Sequence, residues 1–398
     1  MLLSSCRPPD RLTARPSGTD SAGISIVEST APVWAAGRGW SVADSPTVEI
    51  AKIGSPMGAV RLSDGRIVVA DGRPSGLRYF SRGGDALYEV GRAGEGPGEL
   101  RSIYRLDRIR GDTVVVYDLS QRRLVFIDPN GALALAVSVA ESLTPPGANG
   151  YLPKGVASDG RYLFQRDEVA FPFAGAEGSL VTDSTRILWL SRAGTFTDST
   201  PRLVAGELFG FSLRAERDRR VLAPLARPLA PALRVAAGAD VVWTGDGASW
   251  EIRGVDEHGW LTRILRIRRE RPLLTPAFRD SFVARFRIRA AASGVTAIQR
   301  QFADGMGSAP FPERLAAFGD LLAGQDSTLW AQHVGLVEGL PGDGSLVWTV
   351  FDPAGRWSGE VTMPPRFRPT AVGHGWILGI WRDATDVPRV RLYPLVEH

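Results

Sequence analysis

Short apolar runs separated by polar turns dominate the chain. Arg66-Ile-Val-Val-Ala-Asp71, Thr113-Val-Val-Val-Tyr-Asp118, Arg161-Tyr-Leu-Phe-Gln165, Asp240-Val-Val-Trp-Thr244 and Ser327-Thr-Leu-Trp-Ala331 are rich in β-branched and aromatic residues and too short for helices, so each reads as a strand. A polar turn precedes most of them: Ser63-Asp-Gly65, Arg110-Gly-Asp112, Ser158-Asp-Gly160 and Gly324-Gln-Asp326. A second apolar run follows and ends in a glycine turn. These turns are Phe80-Ser-Arg-Gly-Gly84, Ile127-Asp-Pro-Asn-Gly131, Leu190-Ser-Arg-Ala-Gly194, Val255-Asp-Glu-His-Gly259 and Phe351-Asp-Pro-Ala-Gly355. Proline presets φ and glycine accepts positive φ, so each predicts a hairpin between antiparallel strands. One unit is therefore strand, turn, apolar strand, loop, strand, glycine turn, strand.

A further copy, Gly373–Ile380 followed by Arg389–Tyr393, lacks room for a fourth strand, and Thr47–Ile53 near the other end can supply it. The gap from Gly259 to Gly355 is about twice that from Gly84 to Gly131, yet its middle is helical: Phe278, Phe282 and Phe286 recur every four residues with Arg279, Arg285 and Arg289 between them. Pro276 suits the first turn of that helix and Gly294 its exit. The pattern predicts an all-β fold, a six-bladed β-propeller of four-stranded antiparallel blades, closed by an N-terminal strand. Its blades cover 57–93, 100–140, 151–205, 225–269, 310–364 and 370–395 completed by 47–53, within one domain of 25–398. One helical insertion, about 272–300, lies between the fourth and fifth blades.

Composition fits this picture. Among 398 residues there are 45 glycines and 28 prolines, an excess that suits many tight turns and argues against a helical bundle. No apolar run reaches the roughly 18 residues a spanning helix needs, which excludes a multi-span helical membrane protein. The formal charge is only +4, from 47 basic and 43 acidic residues interspersed along the chain, so nucleic acid is not an expected partner. Lys52 and Lys154 are the only lysines. This arginine bias has two readings, a coding preference or selection for bidentate recognition of carboxylates and phosphates. Without a dense basic block, the coding preference is the simpler.

Cys6 is the only cysteine, which excludes an intrachain disulfide and a cysteine-based zinc cluster. Leu3-Ser4-Ser5-Cys6 resembles a bacterial lipobox, in which cysteine carries the lipid, although Met1-Leu2-Leu3 is too short for the charged and apolar stretch that precedes one. Cys6 is thus a lipidation candidate, residues 1–24 are expected to be a polar tether, and membrane contact is expected only through such an anchor.

Gly91-Arg-Ala-Gly-Glu-Gly-Pro-Gly-Glu-Leu100 resembles the Gly-Glu-Gly-Pro-Gly-Glu signature of bacterial six-bladed β-propeller proteins related to the NHL-repeat group. The Asp-Gly-Arg-Ile-Val-Val-Ala-Asp and Gly-Asp-Thr-Val-Val-Val-Tyr-Asp runs and the Val33-Trp34…Gly39-Trp40 stretch match the same pattern. The resemblance covers most of the chain from about residue 25. It implies a propeller, usually exported and often lipid-anchored, and implies no catalytic residues.

The candidate chemistry is sparse. The glycine-rich loop 91–98 lacks the Lys-Ser/Thr of a phosphate-binding loop and carries Glu95 and Glu99 instead, so it reads as a crossover between blades. With Arg92 these residues are candidates for binding at a channel mouth. Asp71 and Asp118 occupy equivalent strand ends, but the counterparts Arg166, Gly245, Gln332 and Ile380 break any acidic ring, so Ca²⁺ or Zn²⁺ is a minor expectation and no cofactor is predicted. Of His258, His333, His374 and His398, only His333 joins the binding candidates, since no metal-ligand spacing links the four. No Gly-x-Ser-x-Gly nucleophile elbow occurs, and Cys6 lies in the tail. The sequence therefore favours a monomeric, non-enzymatic binding or scaffolding propeller of the cell envelope. Its expected partner is an unknown protein or small molecule met at the channel mouth and inter-blade loops. The alternative is a metal-dependent lactonase- or lyase-like propeller.

Overall fold

The apolar runs pair as the hairpin chemistry requires. In the computed structural model, residues 17–35, 37–96, 98–139, 151–157, 159–166, 173, 175–214, 219–238, 240–291, 296–334 and 345–398 are described. Cys6, Ser158 and Gly294 lie outside the described residues. The chain is mostly β and contains several four-stranded antiparallel sheets, an arrangement consistent with a propeller. The first sheet comprises Pro56–Arg61, Ile67–Gly72, Ser75–Phe80 and Ala86–Val90; the second, Ile103–Arg108, Val114–Asp118, Arg123–Ile127 and Leu133–Ser138. The third comprises Tyr151–Val156, Tyr162–Arg166, Ile187–Leu190 and Phe196–Ser199; the fourth begins with Arg234–Ala237, Val242–Gly245, Glu251–Val255 and Leu261–Ile267. The fifth is Phe318–Ala323, Leu329–His333, Val347–Phe351 and Trp357–Thr362. The sixth is Phe367–Gly373, Trp376–Arg382 and Pro388–Glu397, the last of which pairs with both Trp40–Val42 and Val48–Ile50. Gly84, Gly131, Gly194, Gly259 and Gly355 all have positive φ, and each turns the third strand of its sheet into the fourth.

Core residues lie between sheets rather than in one central mass. Val60, Tyr79, Leu106 and Val116 join sheets one and two; Val115, Phe126, Tyr162 and Phe164 join two and three. Trp189 and Val242 link three to four, Trp250 and Phe318 link four to five, and Trp330, Trp348 and Tyr393 link five to six. Val48, Ile50, Ala59, Ile67 and Leu392 pack the sixth sheet against the first. Each sheet thus buries both faces, which explains why its strands read as continuous apolar runs rather than strict alternation.

Three features depart from the sequence expectation. Ser17–Ser21, placed in the tether, forms a hairpin with Ile24–Ser29, whose inner arm adds in parallel to Leu261–Ile267 and extends the fourth sheet to six strands. An unpaired outer edge is a template for any strand within reach, and the alternating Ile24, Ile26 arm covers this one. Residues 30–50 then cross the outer edges of sheets five and six: Trp34 donates to the Ser358 carbonyl at 2.8 Å and packs where a Cβ on Gly359 would sit 2.2 Å from its ring. Second, Leu180–Thr185 leaves the third sheet to pair with Leu203–Arg214, which pairs in turn with Arg220–Ala226 in a separate three-stranded sheet.

Third, the insertion holds two helices, not one: α1 (Pro276–Ala290) and α2 (Ala297–Ser308). Thr296 and Gln299 form a reciprocal capping box that starts the second helix. Phe278 and Phe282 are buried, and Phe302 of α2 packs edge-on to Phe211 of the extra sheet. Among the described residues no helix is long and apolar enough to cross a membrane.

Candidate functional site

The first strand of each of the six numbered sheets faces a common space; the separate three-stranded sheet takes no part. Pro56–Arg61 touches Ile103–Arg108, and contacts continue through the first strands of sheets three, four, five and six back to Pro56–Arg61. They enclose a cavity of about 660 Å³, lined by residues from all six sheets.

Five of these strands carry a β-bulge. The register slips around Met57, Tyr104, Lys154 and Thr370, and across Gly319–Asp320. A bulged residue is unpaired and its side chain is re-aimed. Met57, Tyr104, Lys154, Asp320 and Thr370 all line the cavity.

Charge in the wall is uneven. Arg105, Arg108, Arg110, Lys154, Arg234 and Arg368 line it, against the carboxylates of Asp107 and Asp320. Asp107 accepts from Arg105 Nε at 2.8 Å and from the Tyr162 hydroxyl at 2.9 Å. Burial, then the neighbouring carboxylate, holds the Tyr162 phenol well above its ordinary pKa, so it remains a donor. Arg108 pairs with Asp112 at 3.0 Å, and Arg110 lies 3.6 Å from Asp240.

The residues singled out in the sequence fall elsewhere. The Arg166 side chain and Cys6 lie outside the described residues, and the other six binding candidates are not in the cavity wall. Asp71 accepts from the backbone N–H groups of Gly54 (3.0 Å), Ser55 (2.8 Å) and Arg73 (3.0 Å). Asp118 repeats this, taking Arg101 N–H at 2.7 Å and Ser102 N–H at 3.2 Å. Both carboxylates clasp the segment that leads into their own sheet. In the glycine-rich loop, Glu99 accepts from Gly96 N–H at 2.9 Å and pairs with Arg92 at 2.6 Å, while Glu95 pairs with Arg101. The Gly96 N–H and Arg92 hold the Glu99 carboxyl below its ordinary range. Gln121 donates to the Gly94 carbonyl at 2.7 Å, which fastens this crossover to the second sheet.

His333 sits between sheets four and five, its Nε2 2.7 Å from Thr349 Oγ1 and 3.4 Å from Glu360, with the Trp250 ring edge-on at 5.2 Å. Burial lowers its pKa; Glu360 opposes this and Arg269 reinforces it. The unfolded chain therefore binds this proton more readily than the folded one. Stability is expected to be full above the ordinary histidine value of 6.5 and to fall as pH drops below it. Urea unfolding at pH 7.5 and 5.5 checks this: His333→Gln should lose less stability on acidification than the parent, and an identical loss contradicts it.

Arg234, Arg368 and Lys154 add to the cavity's charge but escaped the sequence reading. Their one signal was a cation inside a short run between glycine-rich turns, and the general arginine excess hid it.

No protein-family model matches the sequence, and no curated protein matches it. Among solved structures, the chain is similar to a member of the DUF4221 family from Bacteroides vulgatus (8% identity over 91% of this chain and 99% of that one, TM-score 0.47). It is also similar to a gluconolactonase from Xanthomonas campestris (12% identity, 89% and 100% coverage, TM-score 0.40). A third similar structure is virginiamycin B lyase from Staphylococcus aureus (13% identity, 85% and 84% coverage, TM-score 0.37). At such identity and TM-scores these likenesses bear on no residue or activity of this chain.

Proposed function

We propose that this chain is a six-bladed β-propeller of the bacterial cell envelope, exported and tethered through Cys6, that binds a small molecule without transforming it. The cavity walled by the first strands of the six numbered sheets carries this reading. Its volume falls within the roughly 300–1,000 Å³ of small-molecule sites. The loop around Arg92, Glu95 and Glu99 supports the crossover between sheets one and two, and the binding groups are those of the cavity wall.

A metal-dependent lactonase or lyase needs several oxygen or nitrogen donors converging on one ion. Asp107 is already engaged by Arg105 and Tyr162, and among the described residues no three His, Cys, Asp or Glu side chains cluster as a metal set. The donor set thus favours binding.

A thermal-shift panel of small metabolites tests the reading. A true ligand at about 100 times its Kd stabilises the fold by about 2.7 kcal/mol, and Met57→Trp, which fills the cavity from a half-exposed wall position, is expected to abolish the shift. A panel that moves nothing contradicts the reading. So does stoichiometric Ca²⁺ or Zn²⁺ with lactone hydrolysis lost in Asp107→Asn.

A further inference from the structure

We infer that the cavity ligand is an anion, a small molecule whose carboxylate or phosphate group is held by Arg234 and Arg368; this rests on the binding reading above. The arginines in the wall fall into two groups. Arg105, Arg108 and Arg110 have carboxylate neighbours in Asp107, Asp112 and Asp240. Arg234 and Arg368 have no ion-pair or hydrogen-bond partner among the described residues. Each stands at or near the start of its first strand, in sheets four and six.

Arg234 Nε is buried without an acceptor. Nε itself is closed to solvent, while the rest of the guanidinium, in the cavity wall, offers two parallel donors to carboxylate or phosphate. Apolar wall residues such as Val235 and Leu321 lower the local dielectric and strengthen the attraction. Asp320, on the sheet between these two arginines, also has no partner among the described residues. A ligand with a hydroxyl beside its acid group satisfies both signs, and the cavity volume restricts it to a small molecule.

Isothermal titration calorimetry at low ionic strength tests this with citrate as the hydroxyl-bearing carboxylate, pyrophosphate as the phosphate and sorbitol as a neutral polyol. At least one anion is expected to bind one-to-one, and which one binds more tightly distinguishes carboxylate from phosphate recognition. Arg368→Gln, at an exposed position where folding should be retained, and Arg234→Gln are each expected to weaken binding about tenfold or more. Arg234→Lys keeps the charge but loses the fork and should recover only part of the affinity. Thermal melts confirm that each variant is folded. Anion binding unchanged in both glutamine variants, or sorbitol binding as tight as either anion, overturns the inference and leaves a binding cavity in place. No heat with citrate or pyrophosphate also overturns it, while the metabolite panel separately decides whether the cavity binds at all.

Discussion

Replacing Asp118 with alanine is expected to destabilise the protein by about 3–5 kcal/mol, because hydrogen bonds to a charged group are worth about 1.5–3 kcal/mol each and four are lost, with water recovering part of the loss. The side chain is fully buried. One oxygen accepts from Arg101 N–H at 2.7 Å; the other takes Ser102 N–H at 3.2 Å, Ser120 Oγ at 3.0 Å and Gln121 N–H at 3.3 Å. Alanine leaves these donors without their acceptor beneath the segment that joins the first sheet to the second. Asparagine restores the shape but turns an NH₂ group toward donors, so it should rescue little. Urea denaturation of both variants checks this. A loss under about 1 kcal/mol for alanine, or full rescue by asparagine, would show that the carboxylate does not hold the segment.

Removing residues 17–50 is expected to cost more still and to leave the protein prone to aggregation. Val48 and Ile50 are 4% and 2% exposed and pack with Ala59, Ile67 and Leu392. Burial of such side chains is worth about 1.5–3 kcal/mol each. Glu49 accepts from Arg391 Nε at 2.7 Å and also pairs with Arg389. Burial works against its charge, but the two arginines overcome this and lower its pKa. The deletion also strips the outer edge of Pro388–Glu397, a ten-residue strand that would then offer unpaired backbone groups to other chains. Since whole domains are stable by only about 5–15 kcal/mol, the truncated chain is expected to melt far earlier and to elute partly as aggregate. Size-exclusion chromatography with thermal melting decides it; a monomer melting within a few degrees of the parent contradicts the account.

The hairpins were legible because glycine and proline favour their geometry locally: Gly131 and Gly355 take positive φ in their turns. The fourth strand of the last sheet was legible from a shortage of chain, and Val48–Ile50 supplies it. The cavity wall was not. Pro56-Met-Gly58 and Pro153-Lys-Gly155 carry no strand signal of their own, because proline and glycine weaken a strand, yet a bulge accommodates both within one. Gly155 also lets sheets three and four approach, since a Cβ there would lie 2.7 Å from Ala237 Cβ. The extra sheet was hidden for a similar reason: Gly206 and Gly210 interrupt the apolar pattern of Leu203–Arg214. Asp71 and Asp118 were visible as a repeated position, but which N–H groups a buried carboxylate gathers depends on tertiary contacts that spacing does not encode.

The most direct measurement concerns the meeting of the two ends. Glu49 and Arg391 are cross-strand partners, and the Cα separation of such pairs, about 4.5–5.5 Å, falls within the range a disulfide spans. A Glu49→Cys/Arg391→Cys variant, with Cys6→Ser to remove the native thiol, is expected to form an intramolecular bond under air and to gain stability on the order of 5 kcal/mol from the long loop it closes. Thiols that stay reduced in the folded protein, or that cross-link only between chains, would contradict a ring sealed by strand 48–50 against strand 388–397.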